Sequence, residues 1–329
     1  MFATINYQPI AIAAAFASIM QLPAGLNAQM MGVVWGDDQE PNLAPKIEGY
    51  VLSKDMFNVL GYAWNREHIR KEGEPRRGVW IGGPKGAGKT TGPEQFFSNL
   101  GVPVVTITCN RRIPLSDYIS KVVPNHEEGG WRTVSGPLKH AMECGYPVIL
   151  NEPSAMDEAD LVAMHDIIDR GFFIGDDGVE IRAARGFMVF ATDNTMGYGD
   201  ETGAHAGTNA LNTATMRRFL KLQVDYPSAE EELAILSRKF PTQSTEALEA
   251  FIRFANAMRE PYRKSMTHVT MGTGELLDWV EASSYFKGMP NRDAAWFAFK
   301  TVMGGLPEAS MEQARQTYRS TFGVDVSEQ

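Results

Sequence analysis

The run Gly83-Pro84-Lys85-Gly86-Ala87-Gly88-Lys89-Thr90 lies between an apolar stretch, Gly78 to Ile81, and the start of a helix-forming segment. Its spacing, G-x-x-x-x-G-K-[ST], is that of a phosphate cradle. Glycines let successive backbone N–H groups turn inward on phosphate oxygens, and a helix N-terminus adds the positive end of its dipole. On this pattern Lys89 reaches the β- and γ-phosphates, Thr90 offers its hydroxyl to Mg²⁺, and Thr91 completes the nucleotide-binding stretch. The expected ligands are ATP and Mg²⁺.

Hydrolysis needs more than a cradle: a group that orients water and a second Mg²⁺-side residue at the tip of a neighbouring strand. Val148-Ile149-Leu150-Asn151-Glu152 is the candidate, an apolar strand that would end in an acidic pair had Asn151 been Asp. Glu152 is placed to polarise the attacking water. Asn151 contacts a Mg²⁺-bound water without bringing negative charge. A second apolar strand, Phe187 to Thr192, runs into Asp193-Asn194-Thr195, which puts the Asn194 amide where it would sense the γ-phosphate. Met216-Arg217-Arg218-Phe219-Leu220 follows a Gly- and Asn-rich loop, Gly197 to Asn212. A guanidinium there, Arg218, reads either as an arginine finger reaching another protomer's γ-phosphate or as a plain surface arginine.

These groups need a scaffold that brings strand tips together. Between Pro45 and Tyr226 short apolar strands alternate with helical segments, the pattern of an α/β layer fold with a mostly parallel sheet. Strands are expected at Gly78 to Ile81, Val104 to Thr108, Val148 to Leu150 and Phe187 to Ala191. Gly171 to Ile181 reads as a β-hairpin around Asp176-Asp177-Gly178. Beyond Tyr226-Pro227 the period becomes helical. Ser228 with Glu231 three residues on forms a capping-box signature, and apolar residues recur in Leu233 to Phe240, Ala247 to Met258, Leu276 to Phe286 and Ala294 to Met303. The division is therefore an N-terminal extension (1–44), an α/β nucleotide-binding core (45–227) and a helical domain (228–329).

The chain has 329 residues, 43% apolar and 22% charged, with a net charge of -9, so it lacks the overall basic field that drives nonspecific nucleic-acid binding. Its two cysteines, Cys109 and Cys144, have no metal-ligand spacing and are expected as buried small hydrophobes in a reducing cytoplasm. Ile10 to Leu22 is too short to span a bilayer and is expected to be a packed or subunit-facing helix.

With these motifs in hand, the sequence resembles AAA+ ATPases of the MoxR type, most closely the CobS-like group of cobaltochelatase ATPase subunits. Gly83 to Thr90 match the family's Walker A, Glu152 its catalytic glutamate, Phe190 to Thr195 its sensor-1 stretch with Asn194 on the sensor asparagine, and Arg218-Phe219 its arginine-finger pair. Gly199 to Gly203 with Gly207-Thr208 resemble the family's loop, Trp131 to Ala141 its helix-2 insert, and the Phe172 to Ile181 hairpin a second pore-side element. The resemblance implies a P-loop AAA+ three-layer core followed by a helical lid. It further implies a hexameric ring that hydrolyses ATP between protomers, and a partner carrying a von Willebrand factor A domain.

Two positions depart from that family. Asn151 stands where it carries Asp, and Gly274 where the lid carries the sensor-2 arginine. Each loss removes a directed charge from the nucleotide site, which makes slow hydrolysis an expectation. The leading expectation is a motor that remodels a protein partner. The alternatives are a ring that binds ATP chiefly to assemble, a metal-chelatase subunit and a nucleic-acid translocase.

Overall fold

The computed structural model describes residues 5–36, 42–127, 129–175, 178–194, 212–289 and 293–326. The expected hairpin turn at Asp176-Asp177, Thr195, and the loop residues Gly199 to Gly203, Gly207 and Thr208 lie outside them. By its internal contacts the chain divides into two units, one of residues 1–47, 52–83 and 88–224, the other of residues 48–51, 84–87 and 225–329.

The first unit opens with β1 (Gln8–Ala11), the one-turn α1 (Ile12–Phe16) and β2 (Gln29–Gly32). The expected packed helix over Ile10 to Leu22 is thus reduced to five residues. So short an isolated turn is a weak helix nucleus, whereas pairing Ile10 with Met30 gives the backbone polar groups ladder partners. Next come α2 (Lys54–Ile69), N-capped by Ser53, then β3 (Gly78–Gly82) and α3 (Thr91–Asn99). They are followed by β4 (Val105–Thr108), α4 (Leu115–Ile119), β5 (Ser120–Pro124), β6 (Trp131–Ser135), α5 (Pro137–Cys144) and β7 (Val148–Asn151). A single 3₁₀ turn, Pro153–Ala155, leads to α6 (Glu158–Arg170), β8 (Phe172–Ile174), β9 (Glu180–Arg182), β10 (Val189–Asp193), α7 (Thr213–Met216) and β11 (Phe219–Gln223).

Five strands form one parallel sheet in the order β11-β3-β10-β7-β4. The inner strands are apolar on both faces, as Val79, Trp80 and Ile81 of β3 and Val148 and Ile149 of β7 are all withdrawn from solvent. That is how a parallel sheet covered on both sides reads. This order matters for chemistry: β3 is followed in the chain by β4, yet β10 and β7 lie between them, so their C-terminal tips open beside the end of β3. Crevices at such strand ends are where open α/β sheets hold ligands.

Trp131 to Ser135, the start of the segment that resembles a helix-2 insert, is a strand paired antiparallel with Ser120 to Pro124. Thr133 and Val134 are β-branched and face Val122 and Lys121, a pairing that favours extended backbone over helix. The β8–β9 hairpin forms as expected, with Phe173 opposite Ile181. Cys109 and Cys144 are both buried.

The second unit is helical: α8 (Ala229–Lys239), α9 (Thr245–Arg263), α10 (Thr273–Tyr285), α11 (Ala294–Val302) and α12 (Glu308–Phe322). The Ser228–Glu231 capping box is present in full. Its core gathers Phe254, Trp279, Phe299 and Tyr318, and the same unit holds a buried ion pair, Arg259 with Glu232. No described helix is long and apolar enough to cross a membrane.

Candidate functional site: a phosphate loop beside two strand tips

The loop after β3 is shaped by glycine. Gly88 has φ +77°, a conformation that costs a residue with a Cβ, and a Cβ on Gly83 would lie 2.3 Å from the Val224 carbonyl oxygen. Gly92 N–H donates to Gly88 O at 2.8 Å, so helical hydrogen bonding begins directly at the loop's end. The loop tip, Pro84–Ala87, groups with the helical unit, where the Tyr226 hydroxyl donates to Lys85 O at 2.8 Å.

Lys89 and the strand tips form one hydrogen-bonded cluster. The Lys89 ammonium donates to Gly83 O at 2.9 Å and to Asn194 Oδ1 at 2.8 Å. Thr90 Oγ1 donates to Asn151 Oδ1 at 2.7 Å, and Thr192 Oγ1 donates to the same oxygen at 2.8 Å. Asn194 Nδ2 lies 3.4 Å from Glu152 Oε1, a long contact that brings the two side chains face to face. Burial pushes the Lys89 ammonium down to about 8, against the opposing pull of Asp193 and then Glu152. The site therefore holds a partly desolvated cation bonded to a backbone carbonyl and an amide oxygen, suited to an incoming anion.

Glu152 itself sits in the left-handed region, at φ +55° and ψ +51°. A non-glycine residue there carries backbone strain, held by Glu152 N–H donating to Thr192 O at 2.8 Å. The effect is to turn the carboxylate out of the strand direction, at an exposed position.

The residues present fit a nucleotide with Mg²⁺. Thr90 and Asn151 present a hydroxyl and an amide oxygen 2.7 Å apart, the hard oxygen donors that Mg²⁺ takes directly or through water. Gly274 lies in the first turn of α10, where an added Cβ would meet no atom of the described residues within 4 Å. The helix therefore has room for a side chain at that position.

Arg218 lies elsewhere. It precedes β11, and its carbonyl accepts from Gly78 N–H at 3.1 Å, at the N-terminal start of β3. The phosphate loop begins after Gly82, so the length of β3, roughly 13 Å at strand rise, separates the two. The Arg218 Nε is 2.8 Å from Asp169 Oδ2, an ion-pair distance without hydrogen-bond alignment, since the same Nε has no hydrogen-bond partner among the described residues. Its Nη1 donates to Ala214 O at 2.6 Å.

The structure thus brings Lys89, Thr90, Asn151, Glu152 and Asn194 together at the C-terminal ends of the strands and sets Arg218 at their N-terminal end. Sequence reasoning assigned nothing to Thr192, Asp193 or Ser154. Asp193 is fully buried at the tip of an apolar strand, and Ser154 Oγ donates to its carboxylate at 3.0 Å. An acidic residue ending a strand of Val, Phe and Ala was the signal available.

Residues 78–219 match the family model described as AAA domain (dynein-related subfamily). The chain is 23% identical over 305 residues to aerobic cobaltochelatase subunit CobS of Sinorhizobium sp., covering 89% of this chain and 86% of that protein. It is 29% identical over 183 residues to protein NorQ of Paracoccus denitrificans, covering 55% of this chain and 64% of NorQ, less than two thirds of that relative. Among solved structures, an ATPase of Cytophaga hutchinsonii aligns at 15% identity and a TM-score of 0.39, covering 74% of this chain and 84% of its own. With the parallel sheet, the phosphate loop and the strand-tip cluster in place, residues 78–219 carry the match to an AAA domain, and the chain is similar to the CobS and NorQ proteins.

Proposed function

We propose that this chain hydrolyses ATP at the interface between like subunits of a ring, a hexamer on the family pattern, and uses the cycle to remodel a protein partner. The observation that carries the reading is the separation of its two halves. Lys89, Thr90, Asn151, Glu152 and Asn194 converge at the C-terminal ends of the strands, while Arg218 stands at their N-terminal end, too far to serve the site of its own chain. Half-buried there and ion-paired with Asp169, its guanidinium would leave that carboxylate to meet a neighbour's γ-phosphate.

Each residue then has a role that its position supports. Lys89 exchanges Asn194 Oδ1 for phosphate oxygens, which frees the amide to contact the γ-phosphate or the attacking water. Thr90 and Asn151 hold Mg²⁺, whose charge offsets that of the triphosphate. Glu152, turned outward by its left-handed backbone, accepts the proton of the attacking water. A trans arginine offsets charge that develops on the transferred phosphoryl group.

Two hairpins offer partner contacts: Trp131 and Val122 of the β5–β6 hairpin and Ile174 of β8 are exposed apolar side chains. A von Willebrand factor A domain protein is the partner class the family resemblance suggests. Metal insertion, by analogy with the relative named as a cobaltochelatase subunit, is a narrower version of the same remodelling reading. Soluble location in the cytoplasm accompanies it.

The test is phosphate release by the wild type, Glu152→Gln and Arg218→Ala. Wild-type release is expected, with both variants retaining nucleotide binding and losing release by about 10³-fold or more for Arg218→Ala. Mixing the two variants should restore part of the activity, because a mixed interface can pair an intact Glu152 with an intact Arg218. Absence of rescue at every ratio overturns the trans arrangement. Equal background release by wild type and Glu152→Gln would favour the second reading, a ring that assembles on ATP without turnover, which the neutral Asn151 motivates. Stimulation by DNA would instead favour a translocase.

A further inference from the structure

We propose that Asp193 is the carboxylate on which this ATP site relies in place of one at Asn151: it fixes Glu152 and Asn194 relative to each other and places negative charge behind Lys89. The inference rests on the ATPase reading above and names a positioning residue that reading does not use.

Asp193 ends β10, the strand that runs between the phosphate-loop strand β3 and the Glu152 strand β7. It is level with Gly82 on one side, and its neighbour Thr192 is level with Asn151 on the other. It is tied to three parts of the site. Its carbonyl accepts from Gly83 N–H, the first residue of the loop, at 3.3 Å. Its carboxylate Oδ1 accepts from the Asn194 backbone N–H at 2.9 Å and from Ser154 Oγ at 3.0 Å. Ser154 is itself fully buried and lies two residues after Glu152, at the far side of the strained turn that aims the Glu152 carboxylate. One carboxylate therefore bridges the turn carrying the general base and the residue carrying the sensor amide.

Charge points the same way. A fully buried carboxylate is costly to desolvate and is kept where hydrogen bonds and a nearby cation stabilise it. The Lys89 ammonium donates to the side chain of Asn194, the residue whose backbone N–H the Asp193 carboxylate holds. Asn151 contributes hydrogen-bond acceptance but no charge, and its Oδ1 is bonded to Thr192, the residue adjacent to Asp193. An aspartate at 151 would place a second carboxylate beside the first, and like charges in one site raise the cost of ionising both.

The test is a charge swap in the full-length chain, read by binding of a fluorescent ATP analogue across a Mg²⁺ titration and by steady-state phosphate release. Asp193→Asn keeps the shape and leaves an amide oxygen for both hydrogen bonds, so it removes charge. It should lower kcat by about 10- to 100-fold and raise the Mg²⁺ concentration needed for half-maximal analogue binding. Asn151→Asp alone should give no gain in kcat, whereas Asn151→Asp with Asp193→Asn should recover both readouts to within a few-fold of wild type. Ser154→Ala keeps the charge and releases the turn, so kcat should fall with analogue binding unchanged.

A severalfold rise in kcat from Asn151→Asp with Asp193 intact overturns the proposal, as does an Asp193→Asn variant with wild-type binding and turnover. Should Asp193→Asn fail to fold, Ser154→Ala decides, because unchanged kcat there removes the positioning role. If the wild type releases no phosphate at all, the ATPase reading falls, while the Mg²⁺ titration of analogue binding still judges Asp193.

Discussion

Glu232 and Asp193 are both fully withdrawn from solvent, one inside the helical unit and one at the phosphate site. Glu232, in the helical unit, takes a two-pronged guanidinium from Arg259 at 2.8 and 2.8 Å and a hydroxyl from Thr273 at 2.8 Å. Arg259 spends its Nε on Met271 O at 2.7 Å and lies over the Tyr226 ring, 4.3 Å from its centroid. Cation and anion close on each other. Asp193 accepts from a serine hydroxyl and a backbone amide, while Lys89 is engaged by a carbonyl and by the Asn194 amide oxygen. The first arrangement is complete without a guest and works for the fold. The second keeps a cation in contact with groups that a phosphate can displace.

The largest test of that contrast lies in the helical unit. Arg259→Ala strands Glu232 in an apolar core and should cost about 3–5 kcal/mol, read by urea unfolding of the full chain. A loss below about 1 kcal/mol would show that the pair is not structural. Lys89→Ala should do the reverse, changing unfolding stability by less than about 1 kcal/mol while weakening ATP binding about 10- to 100-fold in a fluorescence titration. An equal loss of stability at both positions would erase the comparison.

The smallest effect is the pH dependence of nucleotide affinity. In the nucleotide-free protein Lys89 is pushed down to about 8, whereas a bound triphosphate favours its charged form. The complex then holds a proton that the free protein has lost, so affinity should fall as pH rises above about 8, by up to about tenfold per unit. Lys89→Arg should flatten that slope, because a guanidinium stays charged. For folding the sign is opposite: the unfolded chain binds more protons than the folded one between about 8 and 10.5, so the unliganded protein gains from this group across that window.

Much of the scaffold was legible because local patterns agreed with tertiary ones. The runs that became β3, β7 and β10 are apolar up to their C-terminal tips, and the Ser228–Glu231 box starts its helix by local hydrogen bonds alone. Less visible was β11, whose Lys221 and Gln223 break up the apolar signal of an edge strand. Helix α12 also escaped notice, since its apolar stripe is reduced to Met311, Ala314, Tyr318 and Phe322 among polar neighbours. At the site, the loop and the residues Asn151, Glu152 and Asn194 could be named from spacing, because each follows directly on a strand. The bonds among them could not, nor the part of Asp193 and Ser154, since these depend on which strands end side by side.

The left-handed turn at Glu152 has a consequence for protein engineering. Left-handed backbone costs a residue with a Cβ about 1–2 kcal/mol that glycine does not pay. A selection for heat resistance alone would thus reward Glu152→Gly, which relaxes the chain and deletes the general base in one step. Thermostable descendants of this protein should be sequenced at 152 before their loss of activity is blamed on rigidity.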